Sequence, residues 1–134
     1  DAISLHSKNY YQKMIALPEI KLVFAYWQDQ VVAGAIIADF GQWRIYLHGA
    51  SNYDFREKMA PYLLQWQMIS DAKAAGQKVY DFWGANETKW PGVTRFKVGF
   101  APAITLTEYI GAYDLSVNKV WYQLYRLSKI FKLK

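Results

Sequence analysis

The side chain with the clearest potential for chemistry is Lys97, which lies between Phe96 and the pair Gly99-Phe100. If these residues enclose a partly dry groove, the lysine ammonium interacts with negative charge more strongly there than it would in water. Such a lysine can hold a phosphate group or stabilise the oxyanion that develops during acyl transfer. The alternative is an ordinary surface lysine whose methylene stem covers apolar side chains. The residues alone leave both interpretations open.

Few other side chains suggest catalysis or metal binding. Asp81 ends a predicted strand, where it either caps the following loop or acts as a general base. His6 and His48 are far apart in sequence and do not suggest a metal site, and His48 is expected to be a polar surface or hydrogen-bonded residue. Cysteine is absent, which excludes disulfides and thiolate metal sites and fits a reducing compartment.

Composition and charge limit the classes of protein that this chain can represent. The sequence has 134 residues, 53% hydrophobic and 18% aromatic, so we predict one folded domain over residues 1–134. The formal net charge of +5 favours anionic partners such as phosphates, RNA or acidic lipid surfaces. No apolar run is long enough to span a bilayer, and nothing at the start resembles a secretion signal, so we expect a cytoplasmic location.

The elements that position Lys97 and Asp81 are predicted from apolar spacing, turns and caps. Three strands joined by short polar turns are expected to pair antiparallel, and Gly34 in the second strand indicates a bulge or a close backbone approach. The best-defined helix has apolar residues at helical spacing between Pro61 and Gly76. The strand after it can lie parallel to an earlier one. The predicted elements are a helix over 8–17, strands over 20–27, 31–40 and 43–48, a helix over 61–75, a strand over 78–82, a short helix over 91–98, a strand over 103–110 and a closing helix over 116–133 capped by Ser116.

This order predicts an α/β sandwich in which a mixed, largely antiparallel sheet is flanked by helices. The same order is typical of the fold of acetyl-coenzyme A-dependent N-acetyltransferases. Such enzymes need a glycine-rich run between the third strand and the long helix, where backbone N–H groups bind the pyrophosphate. That junction has one glycine, Gly49, and brings the negative charge of Asp54 close by. A coenzyme A-dependent acetyltransferase is therefore a disfavoured alternative.

The closing helix is predicted to be amphipathic. Its basic residues Lys119, Arg126 and Lys129 group on one side. An ordinary solvated face explains this pattern, and a basic face toward anionic lipid or RNA is the alternative. The opposite, apolar side is formed by Val117, Val120, Trp121, Leu124, Leu127 and Phe131.

Five segments, in their order and spacing, resemble the Fem family (FemA, FemB and FemX type), bacterial transferases that use aminoacyl-tRNA to build peptidoglycan cross-bridges. They run through most of the chain, although each by itself is a weak motif. The segments are Tyr-Leu-His-Gly-Ala-Ser at 46–51, Leu-Gln-Trp-Gln-Met-Ile at 64–69 with Ala72-Lys73 and Gly76, Tyr-Asp-Phe-Trp-Gly at 80–84, Phe-Lys-Val-Gly-Phe at 96–100 and Gly-Ala-Tyr-Asp-Leu at 111–115.

The resemblance implies a role for each candidate site residue. Lys97 is expected to hold the tRNA donor end and support the transfer, with Phe96 and Arg95 beside it as substrate-binding residues. Tyr46 falls where a family tyrosine helps to bind the muramyl-peptide acceptor. The implied reaction is the attack of a precursor amine on the aminoacyl ester, and it requires neither a metal nor another cofactor.

The resemblance also implies partners and a larger protein. The expected partners are aminoacyl-tRNA, a peptidoglycan precursor in its muramyl-peptide or lipid-linked form, and the inner face of the membrane. Family members have two acetyltransferase-like domains, and this chain resembles the second one, so an N-terminal partner domain is expected. We predict that the chain folds but transfers little by itself. A non-catalytic interaction or membrane-surface module is the remaining alternative.

Overall fold

A computed structural model describes residues 6–111 and 113–132, with side chains up to Lys129, and divides them into two compact units. The first unit ends at Ala103 and the second begins at Ile104. The end of the predicted closing helix at Leu133 and the side chain of Phe131 lie outside the described part. The elements are α1 (Lys8–Ile15), β1 (Ile20–Trp27), β2 (Gln30–Phe40), β3 (Trp43–Ser51), a 3₁₀ helix (Tyr53–Lys58), α2 (Ala60–Ala74), β4 (Val79–Asp81), α3 (Pro91–Val98) and α4 (Lys119–Lys132).

The first unit contains a four-stranded sheet in the order β1-β2-β3-β4. The first three strands form the predicted antiparallel meander, and β4 is parallel to β3, as the long connection through α2 allows. The β1–β2 turn is tight because both Gln28 and Asp29 adopt positive φ, at 46° and 63°, which matches the twist of a hairpin. The mixed, largely antiparallel sheet is thus confirmed.

The core lies between the sheet and one face of α2. From Ala33 to Ile37 the fully buried residues of β2 alternate along the strand, because every second side chain points to the helix, and the neighbouring Val32 is buried as well. The other sheet face is more open, and Leu22, Phe24 and Tyr26 of β1 are exposed there. The buried apolar cluster consists of Val32, Ala33, Ala35, Ile37, Ala60, Leu64 and Met68.

Gly34 marks a close approach, one of its two predicted roles. A Cβ atom at this position would lie 3.0 Å from a ring carbon of Phe24 on β1, so the glycine makes room for that ring. The register irregularities fall elsewhere, between Ala25 and Tyr26 and between Ile36 and Ile37. The approaching group is therefore an aromatic side chain on the neighbouring strand.

A buried arginine ties the sheet to α2. Nε and Nη2 of Arg44 donate to the two carboxylate oxygens of Asp39 at 2.7 and 2.8 Å, while Nη1 donates to the Met68 carbonyl oxygen at 3.0 Å. The Arg44 hydrogen bond is the main reason why the pKa of Asp39 lies well below its ordinary value. The second cation at this carboxylate, Lys21, is exposed.

Two predicted features of the second half are wrong. Residues 104–110 form no strand, because within their own unit the described backbone has no strand partner, and alternating apolar residues alone do not make a ladder. Ser116 does not cap α4, which begins at Lys119. Instead, Oδ1 of Asn118 accepts from the N–H groups of Val120 and Trp121 at 3.0 and 3.1 Å.

Candidate functional site

A groove opens where β4 diverges from β3. β4 pairs only with Trp43, Arg44 and Ile45, whereas β3 continues to Ser51, three residues beyond the predicted end of the strand. The groove has a volume of about 460 Å³. Its lining includes Tyr46, Gly49, Ser51, Leu64 and Gln65.

The free edge of β3 presents main-chain groups along this divergence. The Asn52 N–H donates to the Val32 carbonyl, so the antiparallel alternation directs the polar groups of Ala50 and His48 toward β2. The N–H and C=O groups of Gly49 and Ser51 therefore face the other edge, which β4 does not occupy at this level. These groups are available to an extended ligand.

Lys97 lies near the groove. α3 begins at Pro91, whose fixed φ suits a first helical turn, and Lys97 falls in its last turn. The half-buried Nζ donates to the Gly84 carbonyl oxygen at 2.6 Å and lies 5.9 Å from the centre of the Tyr46 ring, within cation–π range. Burial lowers the pKa of Lys97, and the nearby negative charge of Asp81 opposes that shift.

An aromatic cluster holds α3 in place. The Phe96 ring lies 4.8 Å from Tyr62 on α2, and the Phe100 ring lies 5.5 Å from Phe82, which directly follows β4. Phe96 and Phe100 are themselves 5.4 Å apart. Edge-to-face and stacked rings at these distances add to the stability that burial provides. Phe96 therefore positions the helix that carries Lys97.

The loop between β4 and α3 is fixed by local side-chain hydrogen bonds. Oδ1 of Asp81 accepts from the Trp83 N–H at 2.7 Å, which is the loop-capping role considered for this residue. Buried Thr94 of α3 accepts from the Asn86 N–H at 2.9 Å through Oγ1. These contacts hold the segment that presents the Gly84 carbonyl to Lys97.

Gly49 is required by the position of Tyr46. A Cβ atom on Gly49 would collide with the Tyr46 hydroxyl and lie 2.8 Å from Cζ of that ring. The two residues share a face of β3 because the strand is irregular between them. The glycine is therefore explained by side-chain packing. A pyrophosphate cradle does not fit this junction, because a 3₁₀ helix that contains Asp54 connects β3 to α2.

Two polar residues close to Tyr46, buried Gln65 and partly buried Tyr80, were not among the predicted site residues. Gln65 of α2 is 2% exposed, and its Oε1 accepts from the Tyr80 hydroxyl at 2.6 Å. Burial raises the pKa of both Tyr46 and Tyr80, and the Gln65 amide counteracts the shift at Tyr46. One sequence feature could have revealed these contacts among Gln65, Tyr80 and Tyr46. It is a polar glutamine next to the core residue Leu64 within the apolar stripe of a helix.

Comparison with known proteins identifies the family. The model of the FemAB family matches residues 16–130. The chain belongs to the FemAB family. The resemblance found in the five segments is thereby confirmed.

Curated relatives of this FemAB chain are transferases of much greater length. The lipid II:glycine glycyltransferase of Staphylococcus haemolyticus (strain JCSC1435) is 32% identical over 98 residues, which are 69% of the chain and 23% of the relative. The aminoacyltransferase FemA of Staphylococcus epidermidis is 30% identical over 93 residues, which are 66% of the chain and 22% of the relative. The chain thus spans about a quarter or less of the length of these relatives.

Solved structures confirm the predicted acetyltransferase-like fold of the FemAB chain. The aminoglycoside acetyltransferase meta-AAC0020 from an uncultured soil metagenomic sample, crystallised with trehalose, gives a TM-score of 0.63 at 13% identity. The match covers 85% of this chain and 78% of that one. The complex of the same enzyme with sisomicin also gives a TM-score of 0.63, at 12% identity. At such low identity the likeness concerns the fold alone.

The FemAB fold brings some predicted site residues together and separates others. Lys97 and Tyr46, which are distant in sequence, are neighbours. Arg95 is exposed and lies two residues from Lys97, hence on a different side of α3. His48 and His6, whose rings are 5.8 Å apart, adjoin Tyr10 and Tyr11, and no set of three metal-ligating side chains occurs among the described residues. Across residues 6–111 and 113–132, no helix is both long enough and apolar enough to cross a membrane.

Proposed function

We propose that this chain carries the Lys97 site of an enzyme that transfers an amino acid from aminoacyl-tRNA to an amine of a peptidoglycan precursor. The observation that carries the proposal is the half-buried Lys97 ammonium, held by the Gly84 carbonyl near Tyr46 at the groove of a FemAB-family domain. The names of the relatives support it, since they are an aminoacyltransferase and a glycyltransferase acting on lipid II.

The reaction is the aminolysis of an ester. The precursor amine attacks the aminoacyl carbonyl carbon, a C–N bond forms, the C–O bond to the tRNA ribose breaks, and a proton passes from the amine to the leaving hydroxyl. Negative charge develops on the carbonyl oxygen meanwhile, and the Lys97 ammonium stabilises that charge. Because the donor ester is already activated, aligning the substrates and stabilising this charge are the main demands on the protein.

The other residues take supporting roles in this proposal. Tyr46 lines the groove and contacts the precursor on the acceptor side, and Phe96 orients Lys97 through its packing on Tyr62. Exposed Arg95 contacts the tRNA backbone as it approaches α3. The net charge of +5 assists both substrates, because tRNA and a pyrophosphate-bearing precursor are anionic.

We further propose that the chain acts as one domain of a longer protein at the inner membrane face. Its relatives are more than four times as long as the aligned segments, and we propose that residues outside those segments contribute to substrate binding. The 134-residue chain alone is therefore expected to transfer little. Measurable transfer from charged tRNA by this chain alone would contradict that expectation.

Turnover of a Lys97→Met variant in the longer protein tests the proposed role of the cation. Losing one group that stabilises an oxyanion typically costs about 10²–10³ in kcat, and we expect a loss of that order with the circular dichroism spectrum unchanged. Lys89→Met is the matched control, because Lys89 lies over the exposed Trp90 ring and its loss should leave turnover intact. Unchanged turnover in Lys97→Met would favour a non-catalytic module.

A coenzyme A-dependent acetyltransferase is tested separately. The β3–α2 connection does not fit a pyrophosphate, since Gly49 faces the Tyr46 ring and Asp54 adds negative charge. Calorimetric titration with acetyl-coenzyme A is expected to show no binding. Micromolar binding would replace the tRNA-dependent proposal with this alternative.

A further inference from the structure

We propose that α4 binds the surface of a membrane containing anionic lipids, with its apolar side inserted among the acyl chains. Four apolar residues of the helix, spaced to share one side, are all exposed to solvent. Val120 and Trp121 are each 71% exposed, and Leu124 and Leu127 are each 50% exposed. A globular helix normally buries such a stripe, so this one is suited to an apolar environment outside the unit that contains it.

The opposite side of α4 has the charge that an anionic surface requires. Lys119, Arg126 and Lys129 lie there, and the described helix contains no acidic residue. The Tyr122 hydroxyl, also on this side, donates to Asp114 at 2.7 Å, so the contact with the preceding segment leaves the apolar side uncovered. Lysines and arginines on one side with tryptophan and leucine on the other are typical of helices that lie in a membrane interface.

Lipid fits these observations better than RNA does. An RNA backbone would be bound by the three cations, but the apolar stripe would then stay in water. A bilayer interface accepts both sides at once, because the phosphates meet the cations while the acyl chains take up Trp121 and Leu124. This inference does not depend on transfer activity, and it applies to the chain whether or not Lys97 acts in catalysis.

The absence of cysteine allows a direct test on the 134-residue chain. A single spin label is attached at Leu124→Cys or, as a matched control about 100° around the helix from it, at Gln123→Cys. Vesicles of phosphatidylcholine with phosphatidylglycerol should make the label at 124 accessible to oxygen and inaccessible to a polar relaxing agent. The label at 123 should remain accessible to the polar agent, and vesicles of phosphatidylcholine alone should have little effect on either label.

Co-sedimentation with the same vesicles separates the contributions of the two sides. Trp121→Glu with Leu124→Glu should weaken binding by about tenfold or more, because each replacement removes a large apolar side chain from the acyl region. Lys119→Glu, Arg126→Glu and Lys129→Glu, introduced together, should abolish the preference for phosphatidylglycerol. A folded Gln123→Glu variant should bind nearly as well as the parent chain.

Three results would overturn the inference. One is that the label at 124 is already shielded without lipid, which would mean that protein covers this side. The second is that Trp121→Glu with Leu124→Glu leaves vesicle binding unchanged. The third is binding to RNA through the basic side with no binding to anionic vesicles.

Discussion

Replacing Arg44 should destabilise the fold much more than replacing Lys21, although both cations pair with the same Asp39 carboxylate. The Arg44 residue is 5% exposed, whereas the Lys21 side chain is 56% exposed. Arg44→Met removes two charge-assisted hydrogen bonds to Asp39 and leaves the Met68 carbonyl without its side-chain donor. Lys21→Met removes one solvated ion pair.

The expected magnitudes follow from burial. Breaking one partner of a buried pair costs about 3–5 kcal/mol, and the lower end applies to Arg44→Met because Asp39 is partly exposed and keeps Lys21. An exposed pair contributes about 0–1 kcal/mol, so Lys21→Met should be nearly neutral. Domains of this kind are stable by about 5–15 kcal/mol, so the Arg44→Met chain should still fold, although with a much lower urea midpoint.

Urea unfolding of the 134-residue chain, followed by circular dichroism, measures both free energies. Arg44→Lys is a milder variant that keeps the charge but loses the bidentate contact with Asp39. Its loss of free energy of unfolding should lie between those of Arg44→Met and Lys21→Met. If Lys21→Met costs as much as Arg44→Met, burial does not decide the strength of this pair and the reasoning is wrong.

The loss of stability in acid, measured as the free energy of unfolding at falling pH, gives an independent test of the same pair. Because Arg44 holds the pKa of Asp39 well below its ordinary value of 3.8, the pair contributes its full stability above that pH and loses it as the pH falls further. Asp39→Asn should remove this acid-dependent loss. If the Asp39→Asn chain loses as much free energy of unfolding in acid as the parent chain, other carboxylates cause the loss.

Two further predictions concern β3. Gly49→Ala should lower the free energy of unfolding in urea by about 1–3 kcal/mol, because the new methyl group meets the Tyr46 hydroxyl. Adding Tyr46→Phe should restore part of the loss. A Gly49→Ala chain as stable as the parent would refute the packing argument. Burial and the charge of His6 lower the pKa of His48, so stability should be complete above pH 6.5 and decline as the pH falls below it. A folded His48→Asn chain with the same dependence between pH 7.5 and 5.5 would place the titrating group elsewhere.

Features set by local chemistry were predictable from the sequence. α3 has the predicted bounds because Pro91 suits a first turn and Gly99 follows the last one. The turn at Gln28-Asp29 and the helix bounded by Pro61 and Gly76 were predictable for the same reason. The residue that caps the N-terminus of α4 was not predictable. Ser116 and Asn118 are both good caps, and only the path of the backbone selects the asparagine.

Features set by distant contacts were not predictable. β3 runs on to Ser51 because its pairing with β2 persists past an irregularity, which the sequence does not mark. Residues 104–110 look like a strand in sequence but have no strand partner among the described residues of their unit. His6 and His48 are far apart in sequence, yet their rings are 5.8 Å apart. Lys97 could be selected as a candidate, but its contact with Gly84 could not.

The scarcity of catalytic side chains in this sequence has a structural explanation. Where β4 diverges, the free edge of β3 offers the N–H and C=O groups of Gly49 and Ser51. Nearly every residue type has these main-chain groups, so the sequence does not show which of them a ligand can reach. In the proposed reaction the donor ester is already activated and needs no nucleophile from the protein, so one well-placed cation together with an edge that aligns the substrate would meet its main demands. On this reasoning, positions that shape the edge, such as Gly49, should matter to turnover as much as charged residues do.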